Sequence, residues 1–211
     1  MRISGINRFT LVNYPGKIAC VLFAKGCPLK CQYCYNKRLL TEPDIEWENI
    51  ESFLKQRKGQ LEAVVFSGGE PMLQYQELNK AVDFCKSLGY EIGLHLTGLN
   101  SDKKEFLEIV NKSNWIGLDF KAPEAKYKEI CNLDYQDFKR GFDIITKSNC
   151  DFEIRTTLDK KLTKEDLLEM DKFLQENNIE KWYLQRLMIK EGIFNVPDLN
   201  FNNFKTQVVI R

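Results

Sequence analysis

The sequence predicts an α/β fold in which helices cover a mostly parallel β-sheet. Short apolar segments alternate with amphipathic segments about six times along the chain, and most of the apolar segments are nearly continuous in their hydrophobicity. Parallel strands are buried on both faces, so they lack the polar and apolar alternation of a half-exposed strand. This order of segments implies right-handed βαβ crossovers and either a barrel-like or an open doubly wound sheet.

The predicted strands are apolar and rich in β-branched or aromatic residues, which favour extended structure. They cover residues 17–24, 63–68, 91–97, 115–121, 151–158 and 181–187, and the segment TQVVI at residues 206–210 predicts a further strand. Amphipathic spacing predicts helices within residues 44–58, 74–89, 101–113, 134–148 and 163–178. Gly89 suits the C-terminal end of the second helix, and Ser101 and Thr163 are predicted N-caps.

Length and composition limit the classes of protein to consider. With 211 residues and 43% hydrophobic content, the chain is predicted to form one domain covering residues 1–211. The 31 Lys and Arg residues balance 30 Asp and Glu residues, which gives no electrostatic reason to expect nucleic acid or an anionic membrane as a partner. The apolar run at residues 18–24 is far shorter than the roughly 20 residues that span a bilayer, and no signal-like segment precedes it. We therefore expect a cytoplasmic protein.

Cysteine usage points to reduced thiols and to a metal site. The chain has seven cysteines, an odd number that does not resemble a secreted disulfide framework. Cys27, Cys31 and Cys34 form a C-x-x-x-C-x-x-C pattern on a loop after the first predicted strand, where one short loop can wrap a compact inorganic core. Cys20 and Cys85 are expected in the core, and a second cluster is not expected.

Three cysteines do not complete a structural zinc site, which takes four protein ligands. The sole histidine, His95, lies in a predicted strand and is expected to be a core or site-lining residue rather than a ligand. A [4Fe-4S] cluster held by three cysteines leaves one iron without a protein ligand, and that position is open to a substrate or cofactor. An accidental cysteine cluster or a fragment of a zinc knuckle is the alternative.

The stretch GCPLKCQYCYN resembles the C-x-x-x-C-x-aromatic-C signature of radical S-adenosylmethionine enzymes, with Tyr33 at the aromatic position. In that family, the amino and carboxylate groups of S-adenosylmethionine chelate the unique iron. The resemblance implies a partial (β/α)6 TIM-like barrel of the radical SAM type, with Cys27, Cys31 and Cys34 as iron ligands. It also implies that Asn36 contacts the cofactor, while Tyr35 replaces the more usual histidine.

The stretch FSGGEP follows the second predicted strand and resembles the GGEP motif of the same family. Adjacent glycines allow the backbone to approach a ligand closely, and a glutamate can accept hydrogen bonds from an ammonium group. The resemblance implies that Gly68, Gly69 and Glu70 hold the amino end of S-adenosylmethionine. An ordinary glycine turn is the alternative reading.

Further polar residues lie at the ends of the later predicted strands, namely Thr97, Asp119, Lys121, Arg155 and Gln185. The carboxyl ends of parallel barrel strands converge on one face, so one pocket can receive all of these side chains. An Asp-x-Lys pair in an extended segment places both side chains on the same side. A solvated charge at a strand end is the alternative for each residue taken singly.

These residues also resemble parts of glycyl-radical activating enzymes. Asp119 and Lys121 resemble the D-x-K pair of those enzymes, and Arg155 resembles their strand-five arginine. The third predicted strand ends in LHLTGLN, where relatives often have a TNG sequence. This chain keeps the threonine as Thr97, but the asparagine is displaced. The resemblance implies that these residues orient S-adenosylmethionine, and that Tyr33 and Gln185 border its adenine.

The resemblance extends over nearly the whole chain. The N-terminal stretch resembles the SLVDYPG segment of a compact branch of anaerobic ribonucleotide reductase activating proteins, with Asn13 in place of aspartate, and KAPEAKY, EIRTTL and VVIR also match that branch. It implies reductive cleavage of S-adenosylmethionine to a 5′-deoxyadenosyl radical, a glycyl-radical enzyme as partner, and a flavodoxin or ferredoxin as reductant. No proton-transfer catalyst is expected, because the chemistry is homolytic.

Three alternatives to this function remain open on the sequence. A pyruvate formate-lyase-type activase would differ only in its partner. A radical enzyme acting on a small molecule, such as a deazaguanine synthase, would share the cysteine and glycine motifs. A non-enzymatic iron-sulfur or zinc module would not need the GGEP and D-x-K residues.

Overall fold

The computed structural model describes residues 1–189, 192–194 and 199–211 and is built on a sheet of eight strands. The described residues form ten strands, of which eight belong to this sheet. They are β1 (Ile3–Thr10), β2 (Ala19–Ala24), β3 (Ala63–Gly68), β4 (Glu91–Leu96), β5 (Trp115–Asp119), β6 (Asp151–Thr157), β7 (Lys181–Gln185), β8 (Leu187–Ile189), β9 (Gly192–Phe194) and β10 (Gln207–Ile210). The eight-stranded sheet has the order β1-β2-β3-β4-β5-β6-β7-β10, and β8 and β9 form a separate antiparallel pair.

All neighbouring strands of this sheet are parallel except β1, which runs antiparallel to β2. The predicted α/β fold is therefore confirmed, and strands β2 to β7 supply the six parallel strands of the partial barrel. The barrel is not closed, because β1 and β10 are the two edges of the sheet. Strand β10 is the extra strand predicted from TQVVI, and it pairs with β7.

Six α-helices lie between the strands in the described residues. They are α1 (Trp47–Gln56), α2 (Tyr75–Ser87), α3 (Lys104–Lys112), α4 (Glu124–Cys131), α5 (Tyr135–Thr146) and α6 (Lys164–Glu176). Alternate residues of the strands pack against them in a large apolar core, which also contains the thiols of Cys20 and Cys85 as predicted. No helix in the described residues is long and apolar enough to cross a bilayer.

A second, smaller apolar cluster covers the other face of β2, β3 and β5. It consists of Tyr14, Ala19, Val21, Ala63, Val65 and Trp115, with Phe23 at its margin. The ring of Tyr14 lies close to Gly93 of β4, where an added Cβ would come within 2.8 Å of that ring. This cluster fills the part of the barrel interior near the amino ends of the strands, so the space that remains lies at their carboxyl ends.

Several elements were not predicted from the sequence, among them β1 and α4, and one predicted cap is wrong. Strand β1 lies at a sheet edge and buries only part of its side chains, which weakens its apolar signal. Helix α4 has only eight residues and follows Pro123 directly. Helix α3 begins at Lys104 rather than beside Ser101, whose buried hydroxyl instead donates a hydrogen bond of 2.7 Å to the backbone oxygen of Asp137.

The predicted N-cap of α6 is confirmed and gives a stability prediction. The Thr163 hydroxyl accepts a hydrogen bond of 3.3 Å from the Asp166 backbone N–H, and the Asp166 carboxylate accepts one of 2.7 Å from the Thr163 N–H. Replacing Thr163 by alanine should lower the free energy of unfolding in urea by about 1 kcal/mol, because one N–H of the first turn loses its acceptor. Thr163→Ser keeps the acceptor and should unfold like the unmodified protein. Equal loss of stability in both variants would contradict this role of the hydroxyl.

Candidate active site

A cavity of about 830 Å³ opens at the carboxyl ends of the parallel strands. It is lined by all thirteen residues predicted for the site: Cys27, Cys31, Tyr33, Cys34, Asn36, Gly68, Gly69, Glu70, Thr97, Asp119, Lys121, Arg155 and Gln185. The structure thus brings together residues from the loop after β2 and from the ends of β3 to β7. This convergence follows from the parallel arrangement, because every strand ends on the same side of the sheet.

Cys27, Cys31 and Cys34 lie on the loop that leaves β2, and all three are partly exposed free thiols. Burial raises the pKa of Cys27 to about 12 and also raises the pKa of Cys31. In the described residues, no three His, Cys, Asp or Glu side chains are arranged to hold a metal ion. A four-iron cluster makes a different demand, because each thiolate binds a different iron and the three sulfurs need not meet at one point.

The Gly-Gly-Glu loop packs directly against the cysteine loop. The N–H of Gly69 donates to the oxygen of Ala24, and the N–H of Glu70 donates to the oxygen of Gly26, both at 2.9 Å. Gly68 has a φ of +108°, and a Cβ added to it would lie 2.5 Å from the Ala24 nitrogen. A Cβ on Gly69 would overlap the Gly26 oxygen. Glycine is therefore required at both positions for the two loops to touch.

This packing predicts a local effect of Gly69→Ala. The added methyl group must separate the two loops, so the variant should lose about 2 kcal/mol of unfolding free energy, and the amides of Gly69 and Glu70 should exchange faster with deuterium. Gly89→Ala is the control, because Gly89 has a positive φ that strains alanine but has open space around it. The control should lose stability without faster exchange in the two loops. Unchanged protection in Gly69→Ala would show that the loops do not depend on this contact.

Glu70 connects the Gly-Gly-Glu loop to the end of β4. Its buried carboxylate accepts hydrogen bonds from the Thr97 N–H at 3.1 Å, from the Thr97 hydroxyl at 2.5 Å and from the Met72 N–H at 3.1 Å. Burial raises the pKa of Glu70 to about 7 and outweighs these hydrogen bonds. Three of roughly four acceptor positions of the carboxylate are therefore in use within the protein. Asn36 adds a link by donating to the Gly68 oxygen at 3.1 Å.

Asp119, Lys121 and Arg155 form a charged cluster where β5 and β6 reach the cavity. The Asp119 carboxylate lies 3.1 Å from the Lys121 ammonium and 2.8 Å from the Arg155 guanidinium. Burial raises the pKa of Asp119, but the two cations outweigh it and bring the pKa to about 2. Burial lowers the pKa of Lys121, but Asp119 outweighs that effect and raises the pKa well above its usual value. Two cations and one anion leave this cluster with a net positive charge, which suits an anionic ligand group.

Gly117 explains why Arg155 lies across β5. A Cβ at Gly117 would come within 2.5 Å of the guanidinium carbon of Arg155, and the Gly117 oxygen accepts a hydrogen bond of 3.2 Å from it. Gly117 is a site residue that was not predicted from the sequence. Strand alternation could have done so, because Gly117 and Asp119 share a face of β5.

Tyr33 lines the cavity and carries a hydroxyl group that makes no hydrogen bond in the described residues. Its hydroxyl oxygen is buried. The Lys121 ammonium lies 5.7 Å from the centre of its ring. A buried hydroxyl without a partner costs free energy, so Tyr33 is ready to bond a group that enters the cavity.

His95 lines the cavity, as predicted, and both of its ring nitrogens are engaged. Nδ1 lies 3.0 Å from the Ser67 hydroxyl, and Nε2 lies 3.3 Å from the Asn13 backbone oxygen. A carbonyl only accepts, so Nε2 carries the proton and Nδ1 accepts from Ser67. Burial lowers the pKa of His95 to about 3, so the ring is neutral near pH 7. No local sequence pattern indicates the roles of Ser67 and Asn13.

The structure is an open, mostly parallel barrel with the cysteine loop and the Gly-Gly-Glu loop at the mouth of one cavity. This is the framework of an enzyme that binds compact cofactors. The chain belongs to the radical SAM superfamily, whose family model matches residues 21–174. Members of this superfamily use a [4Fe-4S] cluster and S-adenosylmethionine.

Individual relatives refine this comparison. A Methanocaldococcus jannaschii protein named as a candidate glycyl-radical enzyme activating enzyme is 31% identical over 174 residues, which cover 79% of this chain and 72% of that protein. The pyruvate formate-lyase-activating enzyme of Clostridium pasteurianum is 32% identical over 157 residues, covering 70% of this chain and 62% of the relative. A structure of Streptococcus suis SuiB bound to S-adenosylmethionine has a TM-score of 0.64 at 17% identity, covering 88% of this chain and 48% of that chain. The last similarity concerns the fold alone, and this chain spans about half of that structure's length.

The residues present fit the two groups that the superfamily uses. Three free thiols lie on one loop, as a cluster with one open iron requires. Beside them, the Gly-Gly-Glu loop lines the same cavity and is in direct backbone contact with the cysteine loop. The cavity also offers an unsatisfied hydroxyl at Tyr33 and a net positive cluster at Asp119, Lys121 and Arg155.

Proposed function

We propose that this protein is a glycyl-radical activating enzyme, in which Cys27, Cys31 and Cys34 hold a [4Fe-4S] cluster and the cavity binds S-adenosylmethionine. When bound, these two groups supply a one-electron cleavage that yields a carbon radical able to remove a hydrogen atom. The target is a glycine Cα of a partner enzyme. The observation that carries this proposal is the direct backbone contact between the cysteine loop and the Gly-Gly-Glu loop at the mouth of one cavity.

The Gly-Gly-Glu loop is proposed to hold the amino end of S-adenosylmethionine. Gly68 and Gly69 bring backbone atoms next to the cysteine loop without intervening side chains. Glu70 fixes their position through Thr97 and Met72 and keeps one further acceptor position for an ammonium group. Asn36 ties the end of the cysteine loop to the Gly68 oxygen, so both loops keep a fixed separation.

The charged cluster is proposed to orient the remainder of the cofactor. Lys121 and Arg155 can donate to a carboxylate, and Asp119 can accept from ribose hydroxyls while it keeps both cations in place. Tyr33 and Gln185 are proposed to border the adenine ring. No residue is assigned a proton-transfer role, because hydrogen-atom removal requires none.

The barrel geometry supports a protein as the substrate. The sheet remains open between its edge strands β1 and β10, so a polypeptide loop can approach the cavity from the side. The chain-wide match to the compact branch supports anaerobic ribonucleotide reductase as the partner. A cytoplasmic location and a flavodoxin or ferredoxin as electron donor belong to the same proposal.

The test is electron paramagnetic resonance of an anaerobically reconstituted and reduced protein mixed with S-adenosylmethionine and anaerobic ribonucleotide reductase. We expect a glycyl-radical doublet on the reductase, together with methionine and 5′-deoxyadenosine. A doublet on pyruvate formate-lyase alone would reassign the partner. Cleavage of S-adenosylmethionine with no radical on either protein would count against activase function.

A further inference from the structure

The end of β1 and the turn that follows it expose an unusual concentration of apolar side chains. Phe9, Leu11 and Val12 are exposed to 53%, 61% and 82% respectively. They account for three of the seven exposed large hydrophobic side chains in the described residues. Single exposed apolar residues are common on protein surfaces, but a contiguous group marks an interaction site. We call these three side chains the tip surface.

The tip surface is held in place by hydrogen bonds on its inner side. The Thr10 hydroxyl donates to the Asn13 side-chain oxygen at 2.7 Å and accepts from the Val12 N–H at 3.3 Å. His95 donates to the Asn13 backbone oxygen, and the Tyr14 ring packs against Trp115 with centres 5.5 Å apart. The apolar side chains are therefore presented by an anchored turn.

The tip surface is continuous with the mouth of the cavity, because Val12 and Asn13 are among the residues that line it. The cysteine loop also lines the mouth and is basic: residues 24–41 contain four Lys or Arg residues and no Asp or Glu. Lys30 and Lys37 line the cavity, and in the described part of the chain neither lies within 4.0 Å of a carboxylate. The mouth of the cavity thus combines the apolar tip surface with the ammonium groups of Lys30 and Lys37, which form no ion pair in the described residues.

We propose that the tip surface docks the protein segment that delivers the target glycine, and that this segment is apolar with acidic flanking residues. The proposal rests on the proposed function and specifies where its partner binds. Continuity with the cavity places the occupant within reach of the reacting cofactor, and the basic cysteine loop favours an acidic neighbour over a basic one. A few residues usually carry most of the affinity of a protein interface, so replacing two of these side chains tests the surface directly.

The experiment compares a Phe9→Ser, Leu11→Ser double variant with Leu107→Ser, which removes an exposed leucine from α3 away from the cavity. Neither Phe9 nor Leu11 lines the cavity, so cleavage of S-adenosylmethionine driven by dithionite without a partner should be unchanged. Glycyl-radical formation on anaerobic ribonucleotide reductase and on pyruvate formate-lyase is then titrated with each protein. We expect the double variant to need about tenfold more partner for half-maximal activation, and Leu107→Ser to match the unmodified protein.

Higher ionic strength should weaken activation by the unmodified protein, because it screens the cations of the cysteine loop from an acidic partner. Normal partner titration in the double variant would overturn the docking role while leaving the proposed function intact. Loss of self-association in the double variant, with activation unchanged, would assign the tip surface to a second copy of this chain and would also overturn the proposal. If the unmodified protein cleaves S-adenosylmethionine but activates neither partner, the proposed function fails and the docking role fails with it.

Discussion

A Cys31→Ser variant, reconstituted anaerobically, is expected to lose its [4Fe-4S] cluster and to show no detectable cleavage of S-adenosylmethionine. The proposed cluster has only three protein ligands, so losing one leaves two irons without a protein thiolate. A serine hydroxyl is a poor replacement, because soft thiolate ligands are what iron-sulfur clusters select. Iron and sulfide content, together with electron paramagnetic resonance of the reduced protein, measure the loss directly.

Cys150→Ser is the matched control for this experiment. Cys150 is buried just before β6, where its thiol donates to the Asp151 backbone oxygen at 3.3 Å, and it does not line the cavity. The control should keep a full complement of iron and normal cleavage. Full iron content in Cys27→Ser, Cys31→Ser and Cys34→Ser alike would contradict the assignment of these ligands.

Asp119→Asn is expected to destabilise the protein by about 3 kcal/mol, because it leaves two buried cations without their anion. The side chains of Lys121 and Arg155 are only 9% and 7% exposed, so water does not replace the lost carboxylate. Urea denaturation measures the change. Asp102→Asn removes a carboxylate from an exposed pair with Lys103 and should have no measurable effect.

The same carboxylate gives a pH dependence with a definite sign. The pKa of Asp119 is about 2 in the folded protein, below its ordinary value of 3.8. A depressed carboxyl pKa stabilises the folded state fully above the unfolded value, and this contribution disappears as the pH falls through the folded value. The difference in stability between the unmodified protein and Asp119→Asn should therefore narrow between pH 3.8 and about 2. A constant difference over that range would show that Asp119 does not titrate with these cations.

The sequence predicted the parallel strands and the convergence of polar residues at their ends, since both depend on local patterns. Thr97, Asp119 and Arg155 each lie at or near the carboxyl end of an apolar strand, and parallel topology then places them in one cavity. The hydrogen bonds that the Glu70 carboxylate accepts within the protein could not be predicted from local patterns. Its partner Thr97 is 27 positions away, and only the folded register of β3 beside β4 brings the two together.

The anchored turn at Asn13 shows the same limit more clearly. His95 reaches the Asn13 backbone oxygen across 82 positions of sequence, and no local pattern indicates that contact. The missed strand β1 has a related cause, because an edge strand with one exposed face carries few apolar residues. In these cases the residues are of ordinary types, and only the folded structure brings them close together.

Strand β1 is one edge of the sheet and leads into the exposed apolar turn. An edge strand presents unpaired backbone groups that can template the addition of another chain, and an adjoining apolar turn would increase that hazard. The pairing of β1 with β2 shifts register twice, between Ile3 and Gly5 and between Asn7 and Thr10. Such irregularities bend and twist an edge so that a regular foreign strand cannot align along it. The two shifts therefore act as protection against amyloid-like stacking at the edge of the sheet that leads into the exposed turn.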